Sequence, residues 1–327
     1  MSNLDKIIVN RRQALGLGAS AAAMLGLAAC SDSSSTDEAG SAAGSDAETA
    51  EVVELDTAAY DELIAGAIVA DDDVIEASEW AKAVKDADVM RVGGVETSTL
   101  FSLMDEEDGF CRGFDAGLSQ LLAHYILGDE TKIDQTQVTS DTRESLLQND
   151  QVDAVFATYS INDERKEVIS FAGPYYTTKQ GILVNADNTD INGVDDLAGK
   201  TVAVQSGSTG PEIVEEYAPE ATQEEFKTDE EARAALEQGR VDAYVIDASM
   251  QMSTMVKNPG KYRLAGEEFG PEDNYGIGLP KDSDGVDFVN AWLQELEDDG
   301  TWASLWQICI GDRIDSDEAP EPPTIGA

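Results

Sequence analysis

Basic residues are few in this chain, histidine is all but missing, and no long apolar run follows the first thirty residues. Against 66 Asp and Glu stand only 21 Lys and Arg, a net charge of −45 over 327 residues. A surface so negative makes nucleic acid and anionic lipid poor partners, because both carry the same sign. It suits solubility at high ionic strength, where screening weakens self-repulsion, or at low pH. The one histidine, His124, cannot assemble a histidine metal site by itself and is expected to be structural on a helix after Gly113. No metal and no cofactor are expected. What is present is a hydrophobic share of 42%, enough in a chain of this length to bury a sizeable core and to form two lobes.

The first thirty residues predict an export signal over 1–29. Lys6, Arg11 and Arg12 form a positive front before Ala14 to Ala29, a stretch too short and too small in its side chains for a good membrane span. It ends in Leu27-Ala28-Ala29-Cys30, which resembles the lipobox of bacterial lipoproteins, and the resemblance implies lipidation of Cys30. Arg11-Arg12 looks like a twin-arginine signal with Ala14 where a bulky apolar residue is usual, so ordinary Sec export stays open. Residues 31–51 are almost wholly Ser, Asp, Glu, Ala, Gly and Thr, which cannot repay the entropy of ordering; a flexible tether is expected over 30–55. Behind a lipid anchor it would hold a soluble body at the outer face of the cell membrane. With Cys30 lipidated, Cys111 and Cys309 are an even pair in an oxidising compartment. The expectation is a disulfide between them; the competing reading is two buried free thiols.

Strand and helix signals alternate through the body. Residues 56–88 read as a helical preface, with apolar residues at helical spacing over 60–70 and 74–84 and an acidic break at Asp71-Asp72-Asp73. Then come a strand over 90–95, a helix over 113–127, a strand over 133–139, a short helix over 142–149 and a strand over 152–157. Such alternation predicts right-handed βαβ crossovers and a mostly parallel, three-layer α/β sheet. The pattern restarts after Gly181, with strands over 182–184, 201–205 and 243–246 and helices over 211–217 and 230–237, which predicts a second lobe. A last strand over 275–279 and helices over 286–300 and 302–308 have no sheet of their own and are assigned to the first lobe. The expected organisation is lobe 1 over 89–180 and 275–312, lobe 2 over 181–274, and a tail over 313–327, with two crossing strands as the hinge. Ligands of open α/β sheets sit beyond the carboxyl ends of the strands, so two such lobes face to face make one cleft.

Several segments converge on that cleft. The run VDAVFATYSINDERKEVISFAGPYY, from Val152 to Tyr176, carries an apolar strand into Thr158 and Ser160 and then a charged helical turn with Arg165. Hydroxyls and free backbone N–H groups beside one guanidinium build a carboxylate socket, because the fork can donate two parallel hydrogen bonds. Ser140 and Arg143 follow the preceding strand. Gln205-Ser206-Gly207-Ser208-Thr209-Gly210 ends a strand and precedes Pro211, leaving backbone N–H groups and a helix start free to receive an anion. Asp247 ends the strand over 243–246 in an otherwise apolar stretch, and a buried carboxylate needs a cationic partner such as a ligand's amino group.

The order and spacing of these segments resemble the polar amino-acid-binding proteins of ABC importers, the solute-binding family 3 that includes glutamate and glutamine receptors. The resemblance covers about residues 88–312 and is carried by RVGG at 91–94, GFDAGLSQLLA at 113–123, VTSDTRESLLQNDQVDA at 138–154, ATYSINDERKEVISFAGPYY at 157–176, DDLAGKTVAVQSGST at 195–209, ALEQGRVDAYVID at 235–247, YGIGLP and DGTWASLW. It implies an α/β, type II periplasmic-binding clam-shell, each lobe a mostly parallel sheet flanked by helices. It also implies reversible capture of an amino acid for a membrane permease. By resemblance, Arg165 clamps the α-carboxylate with Thr158, Ser160 and the backbone near Gln205, Ser208 and Thr209. Asp247 meets the α-ammonium, and Ser140 with Arg143 hold a side-chain carboxylate, which points to glutamate. Where some acidic-ligand receptors place another arginine, this chain has Val95 and Glu96, which keeps glutamine, aspartate and asparagine open.

The expected partners are an amino acid, an ABC permease and the membrane through the anchor, with no nucleic acid, and the chain is expected to act as a monomer. Plainer roles compete at each residue: Arg143 paired with an acid of its own helix, Asp247 as a helix N-cap, Phe101 and Tyr159 as core. Two other functions compete as well. A dehydratase-type enzyme on the same scaffold would need a general acid, for which Glu96 and Asp247 are available without a second group set to perturb either. A tethered amino-acid sensor would need a signalling domain or a spanning helix.

Overall fold

The computed structural model describes residues 52–326. The export signal, Cys30 and residues 31–51 of the tether lie outside the described residues.

The helical preface forms as three short helices, α1 (Thr57–Ala65), α2 (Asp72–Glu76) and α3 (Glu79–Ala87). Asp56 and Ser78 cap α1 and α3 by accepting the N–H groups of Ala59 and Ala81. The acidic run that was read as a break instead opens α2, where carboxylates favour a helix N-terminus. These helices are sewn to the body: Tyr60 Oη donates to Gln120 Oε1 at 2.9 Å, Trp80 Nε1 donates to the Asp153 carbonyl at 3.1 Å, and Asp284 accepts the N–H groups of Glu79 and Trp80.

The first half then runs β1 (Met90–Gly94), a small antiparallel sheet β2 (Thr97–Ser98), β3 (Ser102–Met104) and β4 (Cys111–Arg112), then α4 (Phe114–Leu127), β5 (Ile133–Gln137), α5 (Arg143–Gln148), β6 (Ala154–Phe156), α6 (Asp163–Val168) and the long β7 (Ser170–Asn185). The second half holds β8 (Thr201–Gln205), α7 (Gly210–Tyr217), β9 (Thr222–Phe226), α8 (Asp229–Glu237), β10 (Ala243–Asp247), α9 (Ala248–Lys257) and β11 (Tyr262–Leu264). β12 (Phe269–Leu279), α10 (Gly285–Asp298) and α11 (Thr301–Cys309) close the chain.

Strands β5-β1-β6 on one side and β10-β8-β9 on the other pair in parallel, and between them β12 and β7 pair antiparallel along most of their length. The result is a two-lobed α/β fold of type II whose sheets are joined by two crossing strands. In the second half the apolar runs of β8 and β10 send alternate residues to opposite faces: Val202, Val204 and Val245 into one buried cluster, Ala203, Tyr244 and Ile246 into another. Both faces are covered, as a parallel sheet with helices on each side requires. The first half has its own cluster, including Val138, Leu147, Val155 and Tyr159.

Cys111 and Cys309 are both free and buried, so the expected bridge is not formed. Their surroundings differ. Cys111 Sγ lies 3.2 Å from Gln135 Nε2, whereas Cys309 sits at the end of α11, where burial pushes its thiol far up and Arg313 is the nearest opposing charge. His124 is buried with Nδ1 3.0 Å from Glu130 Oε2, a structural position.

Candidate functional site

A cavity of about 910 Å³, counting its open mouth, lies between the two halves, within the usual size of small-molecule sites. Strand ends from both halves wall it. β1 supplies Thr97 to Thr99 just beyond its end, β5 leads to Ser140 and Arg143, β6 to Thr158 and Ser160, β8 to Gln205, Ser208 and Thr209, and β10 ends in Asp247. α8 and α9 add Asp229, Arg233, Met250 and Ser253. Eight of the nine expected ligand-binding residues thus face one space.

Arg165 is the exception. It is 5% exposed and lies behind the wall, its Nη1 donating to the Ser160 carbonyl at 2.8 Å and its Nη2 to the Gly207 carbonyl of the opposite half at 2.9 Å. Its Nε stands 3.7 Å from Glu144 Oε1. Arg143 is the guanidinium on the wall: it is buried, donates from Nη1 to the Ala157 carbonyl at 2.9 Å, and stacks 3.8 Å above the Tyr159 ring. Its Nε has no partner. No acid of its own helix pairs with it among the described residues, because the ring of Tyr159 and a carbonyl occupy its faces. Burial and the nearby Arg165 draw the Arg143 guanidinium down to about 10. Tyr159 carries both arginines, Arg165 at 5.3 Å, and so belongs to the core beneath the site. Phe101 is core as well, edge-on to Tyr176 and Tyr275.

Across the cavity stands a negative pole. Asp247 is 6% exposed and accepts from Gln180 Nε2 and from Tyr275 Oη, the latter at 2.6 Å. It occupies the N-cap position of α9 but makes no side-chain cap bond, since both oxygens are turned inward. Asp273, on β12, accepts from Thr209 Oγ1 at 3.0 Å and leaves Oδ1 buried and unpartnered. Burial raises both carboxylates, and the neighbouring Asp273 raises Asp247 further. Sequence reasoning missed Asp273, Gln180 and Tyr275. The signal for Asp273 was an acid just before the apolar YGIG run, but its direction depends on a register shift in β12 between Phe269 and Asp273, which re-aims the strand.

The backbone of the site is held from below. Thr158 has φ +43°, a left-handed value rare for a threonine, and its N–H donates to Asp115 Oδ2 at 2.7 Å. Asp115 is fully buried and also accepts from Tyr175 Oη at 2.8 Å. Ser208 closes its own turn, donating to the Gln205 carbonyl at 2.7 Å and accepting the Gly210 N–H at 3.1 Å.

Two α/β lobes around a polar cavity, with the buried Arg143 guanidinium on the wall from one half and the buried Asp247 carboxylate on the wall from the other, define a protein that captures a small charged solute between its halves. The profile of the bacterial extracellular solute-binding proteins, family 3, matches residues 90–310, and the chain belongs to that family. It is 36% identical over 243 residues to the ABC transporter glutamine-binding protein GlnH of Bacillus subtilis (strain 168), covering 72% of this chain and 88% of that one. It is 34% identical over 216 residues to the glutamate-binding protein GluB of Corynebacterium glutamicum, covering 63% of this chain and 73% of that one. Among solved structures, a solute receptor for L-cysteine of Neisseria gonorrhoeae superposes with a TM-score of 0.70 at 23% identity, over 75% of this chain and 99% of that one, a likeness of fold. The chain is therefore a solute-binding receptor and not an enzyme. No helix among the described residues is long and apolar enough to cross a membrane.

Proposed function

We propose that this receptor captures L-glutamate and delivers it to an ABC permease. The opposed charges of the cavity carry the reading: the Arg143 guanidinium lies on its wall with Arg165 behind it, and the Asp247 carboxylate lines it from the other half. A zwitterion satisfies both, and two guanidinium groups call for a second carboxylate. The ammonium goes to Asp247. The α-carboxylate goes to Arg165, which gives up the Gly207 carbonyl for it, helped by the Thr158 and Ser160 region and the N–H groups near Gln205, Ser208 and Thr209. The γ-carboxylate goes to Ser140 and Arg143. Closure is a population shift, since the ligand touches both halves only in the closed form.

Lobe 1 (89–180 and 275–312) and lobe 2 (181–274) then move as units, on a monomer held to the outer face of the cell membrane by lipid on Cys30 and a tether over 30–55. Mass spectrometry of the N-terminal peptide tests the anchor: an unmodified Cys30 in membrane-grown protein rejects it.

Calorimetry with glutamate, glutamine, aspartate and asparagine tests the ligand. Glutamate is expected to bind most tightly. Arg165→Ala leaves a buried carboxylate unpaired, about 3–5 kcal/mol, so its affinity drops a hundred-fold or more for every amino acid. Arg143→Ala costs glutamate at least about tenfold more than glutamine, because only glutamate leaves a second charge unpaired. Equal losses for both would remove Arg143 from side-chain recognition, and no heat from any amino acid would reject the reading.

A further inference from the structure

Asp273 takes no part in the site as the sequence suggests it, yet its surroundings tie it to Asp247. Gln180 on β7 links them: its Nε2 donates to Asp247 Oδ1 and to Thr209 Oγ1, at 3.3 Å for the latter, and Thr209 Oγ1 donates onward to Asp273 Oδ2. Both carboxylates are at least nine-tenths buried, and Asp273 Oδ1 has no partner. The charged and titratable groups around the pair are Arg143 on α5, Arg165 on α6, Tyr275 on β12 and Tyr244 on β10. Neither arginine is within hydrogen-bond reach of either acid; Arg165 is held by the Ser160 and Gly207 carbonyls, and Arg143 by the Ala157 carbonyl. Two buried carboxylates with no cation in contact, joined through Gln180 and Thr209, cannot both stay ionised at little cost, so burial favours a proton on one of them.

We propose that Asp273 joins Asp247 as a second carboxylate of the ammonium site, and that entry of the ligand's ammonium expels one proton from the pair to solvent. The inference rests on the amino-acid reading above. The balance is simple: protonated pair plus ammonium zwitterion gives the ion-paired complex plus a free proton, and no bond of the ligand changes. Because binding releases a proton, affinity weakens as pH falls. The loss is up to about tenfold per pH unit below the range in which the pair titrates.

Calorimetry with L-glutamate at about pH 6.5, repeated in phosphate, imidazole and Tris, reads the proton as the dependence of the heat on the buffer's ionisation enthalpy. The wild chain is expected to release about half to one proton per ligand, Asp273→Asn little or none, and Asp273→Glu to retain the release. Heat that does not depend on the buffer overturns the inference whether or not the variants fold, and so does an unchanged release from Asp273→Asn; in both cases glutamate binding itself still stands. No heat from any amino acid overturns the amino-acid reading and this inference with it.

Discussion

At the scale of single residues, the site depends on groups that never face the cavity. Asp115 is the clearest. Burial raises its carboxyl to about 6, more than the Thr158 N–H and the Tyr175 hydroxyl lower it. A folded-state value above the unfolded one means that its stabilisation is complete below about pH 4 and is lost as pH rises through about 6. Asp115→Asn has no such titration. Its stability relative to the wild chain should therefore improve by of order 2–3 kcal/mol from pH 4 to pH 7, read by denaturant unfolding. A constant difference across that range would show that Asp115 does not titrate there. Such supporting residues are hard to see in a sequence. Asp247 was legible because a charge inside an apolar run must have a purpose, whereas the choice of which arginine meets the cavity turns on the stacking of Arg143 over Tyr159, a tertiary fact. The free thiols of Cys111 and Cys309 were misread for a similar reason, since counting cysteines says nothing about where they point.

At the scale of elements, the helices and the parallel strands were legible because their apolar spacing is strong, and boundaries fell within a few residues. β9 was missed: TQEEF is acidic, and only its position at the sheet edge makes it a strand. α9 was missed too, since ASMQMSTMVK mixes polar and apolar residues while burying Gln251 and Ser253 against neighbouring backbone. The β8–α7 turn matters most for closure. Gly207 has φ +69°, and a Cβ there would stand 2.6 Å from Asp141 Oδ1 of the opposite half, whose Oδ2 accepts from Ser206 Oγ at 2.7 Å. Gly207→Ala therefore wedges the cleft and strains the turn. Ligand affinity should fall about tenfold or more while the ligand-free protein melts within a few degrees of the wild chain. Unchanged affinity would mean that the two loops do not meet in solution.

At the scale of the whole molecule, charge and topology dominate. A net charge of −45 repels itself in the compact state, so the melting temperature should climb steadily as sodium chloride is raised from about 0.05 to 1 M, where the Debye length shrinks to about 3 Å. A flat response in scanning calorimetry would show that local pairs, such as Arg91 with Asp153, already neutralise the repulsion. The two-lobed plan was legible from the restart of the strand-helix pattern. The two crossing strands were legible as well, but not their extent, because β7 and β12 read as short pieces and run as strands of 16 and 11 residues. Those two strands are antiparallel neighbours, with Asp273 opposite Thr178 and Tyr275 opposite Tyr176. The polypeptide therefore departs and returns at adjoining points, and the intervening stretch is a cassette: cut at both places and rejoined by a short bridge, each piece keeps its own packed interior and has reason to fold alone.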